Sequence, residues 1–163
     1  MVIVKGRKTM KLRIFCIGLT LLFISAGLHA ADDVFLGTWK YNYAKSTHDE
    51  ESATQMTRKH ELAGDGMKFT RDAIDAHGKP SHSEYTIKFD GKDYFANGGS
   101  SGPSQSYKRI DRYTIECHVK FDAEHSLKQV MVMAKDGKSY VLTETGQYAN
   151  GKVSNHFSVF EKQ

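Results

Sequence analysis

Residues 113–121 read "YTIECHVKF". Tyr113, Ile115, Cys117, Val119 and Phe121 fall on one side of a period-two pattern, and Thr114, Glu116, His118 and Lys120 on the other. Alternation of this kind is the mark of a strand with one buried and one solvated face. The same pattern returns in "EYTIKF" (84–89), with Tyr85, Ile87 and Phe89 against Glu84, Thr86 and Lys88. It returns again in "SYVLTETGQY" (139–148), where Tyr140, Leu142, Glu144 and Tyr148 share a side. Glycine-containing turn signals separate such runs: "AGDG" (63–66), "AHGKP" (76–80), "DGK" (90–92), "KDGK" (135–138) and "ANGK" (149–152). Asp-Gly and Asn-Gly reach the positive φ angles that tight hairpins need. The strands expected are 34–43, 56–62, 67–75, 81–89, 93–97, 104–110, 113–121, 126–134, 139–148 and 153–161. These make eight to ten antiparallel strands in sequential hairpins. A meander of that length removes its exposed edges by closing on itself, so the expected fold is an all-β, up-and-down barrel, with a two-layer sandwich as the alternative. The one helical signal is "STHDEESAT" (46–54), where Thr47 and Glu50 have capping-box spacing for at most a turn or two.

The first thirty residues have a different character. Lys5, Arg7, Lys8, Lys11 and Arg13 precede an apolar run, Ile14–Leu28, and "LHA" ends at Ala30. This is the layout of a secretory signal peptide, with Met10 an alternative start. The apolar core of about fifteen residues is short of the roughly 20 that a spanning helix needs, so no stable membrane anchor is expected after cleavage. The expected location is periplasmic or secreted, with residues 31–163 as a single domain. The whole chain carries +4, but the leader holds five basic and no acidic side chains, which leaves residues 31–163 at −1. A nucleic-acid partner loses its electrostatic basis. Cys117 is the one cysteine left, so the mature domain has no internal disulfide and must stand on its core.

The segment "DVFLGTWKYNYAKS" (33–46) contains Gly37 and the sole tryptophan, Trp39. "GTWK" on the first strand of a β-meander resembles the N-terminal motif of the calycins, the lipocalins and fatty-acid-binding proteins. The wider segment is similar to the opening of exported bacterial lipocalin-like proteins. The resemblance implies that Gly37 and Trp39 close one end of a barrel, and that the barrel binds a small apolar or amphipathic ligand. "HFSVFEKQ" (156–163) looks like the last strand of the fatty-acid-binding group. That group carries an Arg-x-Tyr grip on the ligand carboxylate where this chain has Ser158-Val159-Phe160. The dozen residues 44–55 are also too few for its two-helix lid.

Polar side chains on otherwise apolar faces are the candidates for a site, because burying them needs partners. Arg58 and His60 share the face of Met56 and Leu62. Arg71 lies with Met67 and Phe69, Arg109 with Tyr107, and Glu144 with Leu142 and Tyr140. Aromatic residues assigned to the inner face are Trp39, Tyr41, Tyr85, Phe89, Tyr107 and Phe157. The expected ligand lies among Tyr41, Tyr85, Tyr107 and Phe157, with Arg58, His60, Arg71, Arg109 and Glu144 as polar anchors. The competing reading is a filled core, with "NGGSSGPS" (97–104) or 122–125 presented to a protein partner such as a periplasmic hydrolase. Seven histidines remain after the leader, but no H-x-H or H-E-x-x-H occurs, so no metal is expected. No nucleophile elbow or phosphate loop is present, and the expectation is a monomeric binding protein, not an enzyme, without a cofactor.

Overall fold

The computed structural model describes residues 33–50 and 52–163, and the expected signal segment lies outside them. Ten strands follow one another: β1 Gly37–Asn42, β2 Gln55–Ala63, β3 Gly66–Ile74, β4 Pro80–Ile87, β5 Asp90–Phe95, β6 Ser104–Asp111, β7 Thr114–Lys120, β8 Ser126–Met133, β9 Ser139–Gln147 and β10 Val153–Lys162. All pairings are antiparallel, in the order β4-β3-β2-β1-β10-β9-β8-β7-β6-β5. The sheet curls into a nearly closed barrel with one seam, between β4 and β5.

The turns form where the glycines require them. Gly64, Gly78, Gly137 and Gly151 adopt positive φ at four of the hairpin turns. The "DGK" at 90–92 behaves differently from expectation. It enters β5, with Gly91 at φ 74° inside an irregular register between Asp90 and Asp93. The helical signal at 46–54 yields no helix among its described residues. A single 3-10 turn forms just before it, at Tyr43–Lys45, because the Asn42 carboxamide accepts from the Lys45 N–H at 3.1 Å.

The core follows the alternation. Ile115, Cys117 and Val119 are buried on β7, while His118 and Lys120 are exposed. One end of the barrel is plugged by Phe35, Trp39, His60, Tyr140 and Phe160, all essentially without solvent contact. Gly37 (φ 127°) turns the chain into β1, and a Cβ there would meet Lys162 Cε at 3.0 Å. The Trp39 indole N–H donates to the Phe35 carbonyl at 2.9 Å, its ring meets Tyr140 edge-on at 5.0 Å, and the Lys162 ammonium lies 5.2 Å from it. Trp39, one of the two residues expected to close the barrel, is part of this buried cluster, and Gly37 lies two residues before it at the start of β1.

Candidate functional site

A cavity of about 480 Å³ occupies the barrel above this plug. That volume lies in the range of small-molecule sites. Its walls are Tyr41, Phe69, Tyr85, Tyr107, Val119, Phe121, Leu127, Met131 and Leu142, with Arg58, His60, Arg71, Gln105, Gln129 and Glu144 among them. Apolar walls holding a few polar groups are what an amphipathic ligand requires. Seven of the expected site residues therefore face one space: Tyr41, Arg58, His60, Arg71, Tyr85, Tyr107 and Glu144.

Two of the expected residues lie elsewhere. Phe157 sits on the outer face, 41% exposed. Phe160 anchors β10 inward against Tyr140 and Tyr41, so the period of two turns Phe157 out and His156 and Ser158 toward the cavity. Arg109 shares Tyr107's strand but lies at the plugged end. Its guanidinium pairs with Asp33 and covers the Phe89 and Phe35 rings at 4.5 and 5.5 Å. It clamps the segment before β1 and does not line the cavity.

The polar groups are layered. Nearest the plug, His60 is 2% exposed, and its Nδ1 lies 3.0 Å from the Phe35 carbonyl. A carbonyl can only accept, so Nδ1 carries the hydrogen and Nε2 is a bare acceptor. Burial, and then the charge of Arg58, lower the ring's pKa from 6.5 to about 3, so the imidazole is neutral. In the middle layer Arg58 stands over the Phe160 ring at 5.0 Å. Its neighbour across the β2–β3 ladder is Arg71, whose pKa is lowered by burial first and by the like charge of Arg58 second. Among the described residues neither arginine has a carboxylate within salt-bridge distance; Arg71 donates to Ser81 Oγ at 3.2 Å.

The opposite wall holds the matching acid. Glu144 accepts from Gln129 Nε2 at 2.7 Å, from Ser154 Oγ at 2.7 Å and from the Tyr148 hydroxyl. Three neutral donors hold its charge in place, and it acts on Arg71 electrostatically across the lumen. Tyr107 donates to Gln105 Oε1, and burial pushes its own pKa well up. Cys117 lies behind this pair, its thiol raised to about 12 mainly by burial.

Sequence reasoning missed Gln105, Gln129 and Ser154 as members of the site. Gln105 continues the inward-facing series of Tyr107, and Gln129 lies two residues before the inward Met131; Ser154, which reaches the site through Glu144, was hidden because the expectation turned Phe157 and not His156 inward. No group of three or more potential metal ligands converges among the described residues, and no helix among them is long and apolar enough to cross a membrane.

Fold and cavity together define a class: a nearly closed ten-stranded antiparallel β-barrel enclosing a partly apolar lumen with internal charges. No family model matches the chain, and no curated protein matches it. One solved structure, described as "Structure of EF1p2_mFAP2b bound to DFHBI", aligns over 83% of this chain and 98% of that one, at 11% identity and a TM-score of 0.45. The fold rests on the strand pairing described above and not on that likeness.

Proposed function

We propose that this protein is an exported, calycin-like barrel that binds one small amphipathic ligand, without catalysing a reaction on it. The observation that supports the reading is the cavity of about 480 Å³, whose aromatic and aliphatic walls surround two arginines with no carboxylate within salt-bridge distance among the described residues. Burying a cation without a counter-ion is costly, and an anionic ligand head offsets that cost. The head sits at Arg58 and Arg71, and the apolar body lies along Tyr85, Tyr107, Leu127 and Met131 toward the mouth. This anion site is on β2 and β3, not on the last strand where the fatty-acid-binding group has its grip. The reading places the protein in the periplasm or outside the cell.

Fluorescence titration with 11-(dansylamino)undecanoate tests this. Saturable one-to-one binding is expected. It should weaken about ten- to a hundredfold in Arg58→Met, the value of one charge-assisted hydrogen bond. Failure of this and other apolar probes to bind would sink the proposal and favour the loop-presenting, protein-binding alternative.

A further inference from the structure

Four buried side-chain polar atoms make no well-formed hydrogen bond among the described residues; two of them, Arg58 Nε and His60 Nε2, belong to side chains that line the cavity, and a third, Tyr140 Oη, lies in the plug behind them, within reach of the Arg58 guanidinium. They share one aromatic nest. Arg58 lies over the Phe160 ring, Phe160 stacks on Tyr140 at 4.8 Å, and the His60 ring is 5.9 Å from that of Tyr140. Arg58 and His60 are two residues apart on β2, on the same face, and both line the cavity. Buried polar atoms without partners are rare in folded proteins and call for an explanation.

The three atoms are chemically unlike. Arg58 Nε can only donate, and it belongs to a cation. His60 Nε2 can only accept, because the Phe35 carbonyl fixes the hydrogen on Nδ1. A simple carboxylate satisfies Arg58 but brings no donor for His60. A simple alcohol satisfies His60 but brings no charge for Arg58. A head group carrying a carboxylate with a hydroxyl on the neighbouring carbon supplies both.

We infer that the inner end of the cavity selects a 2-hydroxy acid with an apolar tail. Its carboxylate receives the Arg58 Nε–H, and its hydroxyl donates to His60 Nε2. The Tyr140 hydroxyl, in the plug behind these two side chains, backs the Arg58 guanidinium. This rests on the amphipathic-ligand reading and narrows it from anions in general to hydroxylated anions. His60 then has a role in specificity that its near-complete burial conceals.

Calorimetric titration of the purified protein with dodecanoate, 2-hydroxydodecanoate and 1,2-dodecanediol tests the inference. The hydroxy acid is expected to bind about tenfold tighter than dodecanoate, one well-formed buried hydrogen bond, and the diol weakest of the three. In His60→Phe the ratio of the affinities for 2-hydroxydodecanoate and dodecanoate should fall to about one. As a measurement independent of any variant's folding, the ¹⁵N resonance of His60 Nε2 in the native protein should move with the hydroxy acid and not with dodecanoate. Equal affinity for the two acids, or an unmoved Nε2 resonance, overturns the inference and leaves the amphipathic-ligand reading intact. Binding of none of the three overturns both.

Discussion

Acid sensitivity offers a quantitative check on the position of His60. The ring's pKa falls from 6.5 to about 3 on folding, because the interior disfavours its charged form and Arg58 repels it. Below pH 6.5 the unfolded chain takes up a proton that the folded chain refuses until about pH 3. The contribution is therefore fully present above pH 6.5 and drains away as the pH falls through the interval between the two values. At about 1.4 kcal/mol per unit, the loss between pH 7 and pH 4.5 is about 2.5 kcal/mol from this one residue. Several surface carboxylates with lowered pKa values, Glu84, Asp90 and Glu116 among them, also lose stability in acid. A comparison with His60→Gln cancels them, since Gln keeps a donor for the Phe35 carbonyl and does not titrate. Urea unfolding followed by the buried Trp39 gives the stability at each pH. The wild type should lose about 2.5 kcal/mol more than His60→Gln over the interval. A difference under about 0.5 kcal/mol would mean that His60 is not a neutral, buried ring, and the reasoning built on its bare Nε2 would fall with it.

Three other outcomes are expected. Cys117 should resist a thiol reagent at pH 8 in the folded protein and react completely in urea, since burial holds its pKa at about 12. Gly146→Ala should cost more than about 2 kcal/mol by urea unfolding, because the residue combines φ +135° with a Cβ position 2.2 Å from the Ser126 carbonyl oxygen, a backbone atom that cannot swing aside. Trp39→Ala, followed by circular dichroism since it removes the fluorophore, should cost about 3–5 kcal/mol through the cavity it leaves, and the Phe35 carbonyl loses one of its two donors.

The barrel was legible because each strand carries its own record of inside and outside. Tyr113 to Phe121 reads correctly at every position, since its apolar and polar residues alternate without a break. The strand Val153–Lys162 does not. Ser154, His156 and Ser158 are polar but inward, and Phe157 is apolar but outward, so the local pattern inverts and only Phe160 reports the true register. The inversion arises because this stretch faces a polar-lined lumen instead of packed core, where the link between hydrophobicity and burial is weakest. Arg109 fails for another reason. Its face was read correctly, but alternation fixes the side of a residue and not its height along the barrel. Its partner Asp33 is 76 residues away, outside any local pattern. The same limit hid which arginines would meet: Arg58 and Arg71 become neighbours through the β2–β3 register, not through spacing.

The order of the strands has a consequence for how the chain comes together. With the seam between β4 and β5, the first four strands are joined to the last six through the ladder of β1 with β10, in which Trp39 faces Lys162 and Tyr41 faces Phe160. That ladder links residues some 120 positions apart, the longest loop closure available to this domain. During synthesis, β1 to β4 emerge as a meander whose inner face has nothing to cover it until β10 arrives. Folding should accordingly be slow for the domain's size and limited by a late step, with mispairing of the waiting edge as its main hazard.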